Sequence, residues 1–152
     1  MPITSYVQGW SRAILLLLWF GATVTVNAAD DDPLRELRWE NRVLLVFATN
    51  MADAEVAEMR AIADASREDL VDRDLVFGWV LRDEESRLDS RPVSPEYAER
   101  LRGRVGFDSE DFGVVLVGKD GGIKARYDGV PDIDAVFALI DGMPMRRREM
   151  RK

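Results

Sequence analysis

Thr49, Asn50, Met51, Ala52 and Asp53 lie between a continuous apolar run and a helical pattern. In an α/β chain this junction, at the carboxyl end of a strand, is where ligands tend to be held, and the backbone N–H groups of a helix start favour anions. Thr49, Asn50 and Asp53 are the polar side chains that could meet a ligand here. The same residue types also cap helices, so capping competes with ligand binding. The 152-residue chain has no cysteine and no histidine. It therefore lacks the commonest nucleophile–base pairs, the commonest transition-metal ligands and the side chain that ordinarily titrates near neutrality. Carboxylates, lysine and tyrosine remain for acid–base chemistry, and Asp53, Asp74, Lys119 and Tyr127 are the groups that an enzyme reading would use.

Residues Met143 to Lys152 carry Arg146, Arg147, Arg148, Arg151 and Lys152 against the single acid Glu149. This basic tail ends an otherwise acidic chain. It can dock on an acidic partner or an anionic envelope surface, or it can fold back on the domain and complement the dipole of the last helix. Met143, Met145 and Met150 are soft enough for Cu(I), but the adjacent cations oppose metal binding and favour packing. Lys119, Asp120 and Lys124 bracket a glycine turn and read as charges that keep a hairpin soluble and in register. The carboxylates at 30–32, 83–85 and 108–111 match neither a calcium loop nor a hydrolase spacing. No cofactor or metal is expected.

The N-terminus has the three-part form of a secretory signal: Arg12, the fourteen-residue apolar run Ala13 to Val26, and small residues near Ala28. Cleavage after Ala28 places Val26 and Ala28 at the −3 and −1 positions. The competing reading, an uncleaved anchor, needs roughly 20 apolar residues. Export of Sec type to a periplasm or the exterior is expected. The remaining 124 residues suit one domain and carry 20 basic and 28 acidic side chains. An acidic surface opposes sequence-independent nucleic-acid binding.

Elements that would position these residues follow from periodicity. Residues 42–48 (RVLLVFA) read as a strand buried on both faces. A long helix then runs to Arg73, a second strand covers 74–81, and the charged stretch 82–95 reads as a loop. Ser94 and Pro95 open a short helix to about Arg102. Residues 112–118 and 123–127, joined through Lys119-Asp120-Gly121-Gly122, form the clearest hairpin. Asp132 or Asp134 caps a last helix that closes at Gly142. A helical turn near Leu34 precedes the whole.

This order, β-α-β-α-β-β-α, is that of the thioredoxin fold. The stretches 116–124 (LVGKDGGIK) and 140–150 (IDGMPMRRREM), with Trp39, Arg42 and Arg73-Asp74-Leu75, resemble a family of exported thioredoxin-like domains of unknown function. That family has bacterial members and is related to domains in animal extracellular sushi-repeat and matrix proteins. The resemblance implies an α/β three-layer sandwich with a mixed central sheet, and an exported location. Catalytic thioredoxins carry cysteines where this chain has Thr49 to Asp53, and a cis-proline before the third strand where this chain has Asp111. Thiol–disulfide exchange, peroxidase and glutathione-transfer chemistry are therefore not expected.

The expected organisation is a signal peptide at 1–28, a thioredoxin-like domain at 29–142 and a basic tail at 143–152. The expected role is a non-catalytic exported binding module. Arg146, Arg147, Arg148 and Arg151 would meet an envelope or extracellular protein or an anionic surface, and Thr49, Asn50 and Asp53 would form a second patch. The alternative is a carboxylate- or metal-dependent envelope enzyme sited at the carboxyl end of the first strand. The signal reading predicts that N-terminal sequencing of the exported protein begins at Ala29; an intact N-terminus on the exported form would overturn it.

Overall fold

The computed structural model describes residues 32–108 and 110–151, so residues 1–28, expected to be a signal peptide, lie outside the described residues. Asp32 caps a one-turn helix, α1 (Pro33–Glu36), which leads into strand β1 (Arg42–Ala48). Helices α2 (Ala54–Ala65) and α3 (Arg67–Asp72) follow, then strand β2 (Leu75–Leu81). The short strands β3 (Ser86–Leu88) and β4 (Arg91–Val93) precede helix α4 (Pro95–Val105). Strands β5 (Gly113–Val117) and β6 (Ile123–Tyr127) form a hairpin, and helices α5 (Ile133–Asp141) and α6 (Pro144–Glu149) end the chain.

Every residue of β1 is buried because both faces of the strand are covered. Val43, Leu45 and Phe47 point into one core, with Tyr97, Ala98, Leu101 and Val105 of α4 opposite them. Leu44 and Val46 point into the other, against Met59 of α2, Leu70 of α3 and Val136, Phe137 and Ile140 of α5. Side chains alternate across a strand, so an unbroken apolar run is what a two-faced core requires. Burying each large apolar side chain contributes about 1.5–3 kcal/mol. β1 also bonds on both edges, parallel to β2 and antiparallel to β5. The six-stranded sheet runs β4-β3-β2-β1-β5-β6. This is the three-layer α/β sandwich with a mixed sheet that the order of elements predicts.

Local chemistry sets the ends. The Ser94 hydroxyl accepts from Tyr97 N at 3.2 Å to start α4, and Gly106, with φ of 73°, stops it three residues beyond the expected end. Asp132, rather than Asp134, caps α5 by accepting from Asp134 N at 3.0 Å. In the β5–β6 turn, Gly121 takes φ of 80°, the left-handed geometry that the turn needs.

Two expectations are corrected. The helix expected to run unbroken to Arg73 is two helices, because Ser66 leaves helical ψ (20°) between α2 and α3; serine is a weak helix former. The stretch expected to be loop holds the β3–β4 hairpin, which widens the sheet. Each strand is three residues long, too short to show a period, yet Leu88 and Val93 enter the core. Asp89, at φ of 55°, makes the tight turn between them. Of the alternatives open for the basic tail, the structure has it folded back on the domain, since residues 144–149 form α6 and Arg146 is buried.

Gly78 of β2 lies where a Cβ would stand 2.5 Å from Leu88 Cδ2 and 2.7 Å from Leu45 Cδ2. Both leucines are fully packed, so Gly78→Ala should destabilise by about 1–3 kcal/mol through overpacking. A urea titration measures this, and an unchanged midpoint would show that the core yields freely.

Candidate functional site

At the carboxyl end of β1 the chain turns through Thr49 to Asp53 before α2. Asp53 stands at the helix N-cap position, but its side chain does not cap the helix. It folds back, and Oδ2 accepts from Thr49 N at 3.0 Å and Asn50 N at 3.1 Å. Asn50 Oδ1 accepts from Ala52 N at 2.8 Å. The polar side chains at 50 and 53 are thus occupied in shaping their own turn. A cavity of about 620 Å³ opens beside it, lined by the carboxylates of Asp53, Glu55, Glu110, Asp111 and Asp128 together with Thr49, Phe107 and Phe112. An anion approaching the start of α2 here meets five carboxylates, so the sequence-based preference for anions is reversed. Among the described residues, no group of three or more acidic side chains has the geometry to hold a metal ion.

The residues of the enzyme reading do not converge. Asp74 and Lys119 are in contact, with Lys119 Nζ donating to Asp74 Oδ2 at 2.7 Å. They lie at the amino end of β1, where Arg42 N donates to Asp74 O at 2.8 Å. Asp53 follows the opposite end of that strand. Tyr127 is on β6, facing Val114 of β5 across the ladder, and burial pushes its hydroxyl above the ordinary tyrosine pKa. The four groups are therefore split between the two ends of the sheet.

The amino end of the sheet holds a cluster that the sequence reading did not assemble. Arg42 is 1% exposed; it donates to Arg73 O at 2.7 Å and to the Glu149 carboxylate at 3.2 Å. Lys119, also buried, donates to Glu149 Oε1 at 2.8 Å as well as to Asp74. Beside it, Arg73 pairs with Asp141 at 2.8 Å and lies 4.5 Å from the Phe137 ring centroid. Arg146 donates to Asp141 Oδ1 at 3.1 Å, to Asp72 O at 2.5 Å and to the Asp72 carboxylate. α6 is thereby fastened to β1, the α3–β2 turn, the end of β5 and the end of α5. Arg146, expected to be a partner contact, is buried and used inside the domain, because its guanidinium satisfies two carboxylates and a carbonyl. Arg147, Arg148 and Arg151 are exposed.

Arg102 is a buried cation to which the sequence assigned no role. Its Nη2 donates to Ala48 O at 2.7 Å and Val80 O at 2.8 Å, where β1 and β2 end. It shares the buried face of α4 with Tyr97, Ala98, Leu101 and Val105. A cation on an otherwise apolar helical face was the available signal.

These features define a thioredoxin-fold α/β domain whose usual reaction corner is a self-bonded turn beside an acidic cavity. Residues 33–149 match the family model described as Domain of unknown function (DUF4174), and the chain belongs to that family. Among solved structures it is similar to Plasmodium yoelii thioredoxin peroxidase I. The identity is 15% and the TM-score 0.54, covering 76% of this chain and 79% of that one. It is also similar to a Plasmodium yoelii Prx1a modified at the N-terminus, at 14% identity and a TM-score of 0.53, covering 76% and 80%. These likenesses show the fold. No curated protein matches the chain.

Burial raises the carboxyls of Glu149 and Asp141, but their cations outweigh it and hold both below the ordinary range. Lys119 and Arg42 act on Glu149, and Arg73 and Arg146 on Asp141. A carboxyl with a depressed pKa in the fold binds fewer protons than in the unfolded chain. Its stabilisation is therefore complete above the unfolded pKa, about 4, and is lost as pH falls toward the folded value. Glu149→Ala should cost about 1–3 kcal/mol at neutral pH, by leaving Arg42 and Lys119 short of a carboxylate, and should flatten the acid limb of stability. Arg147→Ala should stay within about 0.5 kcal/mol. Urea titrations from pH 3 to 7 compare the three proteins, and equal loss in both variants would place the clamp elsewhere.

Proposed function

We propose that this domain is an exported, non-catalytic binding module and that the outer face of α6 is its contact surface for an acidic protein of the envelope or exterior. The supporting observation is the clamping of α6. Arg146 and Glu149 fix the helix to an acidic domain, while Arg147, Arg148 and Arg151 remain exposed and outside any ion pair among the described residues. Cations held on an anchored helix lose less freedom on binding than cations on a loose tail, and their field contrasts with the acidic body. The turn at Thr49 to Asp53 supports the non-catalytic half of the reading, since Asp53 is committed to backbone N–H groups.

Removing the tail is a poor test, because Arg146 and Glu149 belong to the fold. The informative variant is Arg147→Glu/Arg148→Glu/Arg151→Glu in the full chain. In-cell cross-linking followed by mass spectrometry should capture an acidic protein with the native chain and lose it with the variant, at unchanged melting temperature. Undiminished capture by the variant would overturn the reading, as would turnover of a defined substrate by the purified protein. Co-sedimentation with phosphatidylglycerol vesicles separates an anionic lipid surface from a protein partner.

A further inference from the structure

A groove of about 1030 Å³ lies between the β3–β4 hairpin and the start of α4. The buried residues that line it are the apolar Leu81, Val93 and Ala98 together with Ser86 and Arg102. Arg102 is 2% exposed. Its Nη2 is satisfied by two main-chain carbonyls, but its Nη1 is buried and meets no acceptor among the described residues. A buried guanidinium donor left unmatched is costly, so a ligand carrying a hydrogen-bond acceptor gains by supplying one. Ser86, the other buried polar residue on the groove, is already satisfied: its hydroxyl accepts from Leu81 N and donates to Leu81 O.

The rim decides what kind of acceptor can enter. Five carboxylates line the groove against the two guanidinium groups of Arg82 and Arg102. Arg82 is engaged by Asp83 at 2.8 Å and by Glu110, and Glu85 pairs with Arg87 at 2.6 Å. Glu84, Glu96 and Glu99 are exposed and form no salt bridge among the described residues, and the Glu99 charge acts on Arg102. An anionic ligand would be repelled by this rim, whereas a neutral carbonyl flanked by cations matches both layers. Strand addition is disfavoured, because β4 is the sheet edge and Pro92 at its centre has no N–H to offer.

From this pattern we infer that the groove is a docking site for an extended peptide segment carrying lysine or arginine. A main-chain carbonyl of the segment accepts from Arg102 Nη1, its apolar residues lie on Leu81, Val93 and Ala98, and its cations face Glu84, Glu96 and Glu99. The site is separate from the exposed arginines of α6 and opposite in charge, so it stands or falls independently of the function proposed above.

The test uses the full mature chain and the probe peptide acetyl-Lys-Val-Lys-Val-Lys-amide, with its Glu-for-Lys counterpart as control. Calorimetry should show saturable binding of the lysine peptide only, weakening as salt rises. Glu84→Gln/Glu96→Gln/Glu99→Gln, which alters exposed side chains and leaves the core intact, should weaken binding by about tenfold. In a protein labelled with nitrogen-15, the Arg102 guanidinium resonances should shift on titration. Absence of binding, equal binding of both peptides, or binding without an Arg102 shift would each overturn the proposal. So would self-association of the native chain, in sedimentation velocity, that the triple variant abolishes, since the groove would then hold a second copy.

Discussion

The two-sided burial of β1 is the constraint on which the rest of the structure depends. A strand whose seven residues are all buried needs a layer of helices on each face and a strand on each edge, and the chain supplies all four. α4 covers one face, α2, α3 and α5 cover the other, and β2 and β5 take the two edges. The parallel pairing of β1 with β2 requires the crossover that α2 and α3 provide, while the antiparallel β5–β6 hairpin needs only a short turn. With no disulfide to help, the fold is held by this packing and by the polar closure of the strand ends.

That closure differs between the two ends of β1. At the amino end, ion pairs join Arg42, Lys119, Arg73 and Arg146 to Asp72, Asp74, Asp141 and Glu149, and so make α6 part of the domain. A buried cation of this kind adds little net energy compared with an apolar substitute, but losing one member leaves the others uncompensated. The network therefore fixes where α6 lies. At the carboxyl end the strand termini are held by Arg102, which bonds the last carbonyls of the β1–β2 pair. The basic helix α6 thus lies at the amino end of the sheet, and the two acidic concavities lie at the carboxyl end.

The candidate sites show how sequence and structure divide the work. Thr49, Asn50 and Asp53 were identifiable as a turn with capping chemistry, and they do shape a turn, although Asp53 bonds backward to residues 49 and 50 instead of into α2. The acidic character of the cavity beside them was not legible, because Glu110, Asp111 and Asp128 come from distant segments. Arg146 was indistinguishable in sequence from Arg147 and Arg148. Helical rotation places it inward, within reach of Asp72 and Asp141, and its neighbours outward. Lys119 read as a solubilising hairpin charge, yet Asp74 and Glu149, far away in sequence, draw it into the interior.

Periodicity and residue type alone determined the two-faced strand at 42–48, the hairpin at 112–127, the cap at Ser94 and the absence of thiol chemistry. Each of these is a local matter: side-chain direction alternates along a strand, turns demand particular backbone angles, and a missing residue type cannot act. Only the tertiary structure decided the β3–β4 hairpin, the inward turn of Arg102 and Arg146, and the charge of each concavity. A three-residue strand has too few positions to show a period, and a charged side chain becomes a buried clamp or an exposed contact according to which distant carbonyls and carboxylates the fold brings within hydrogen-bonding reach.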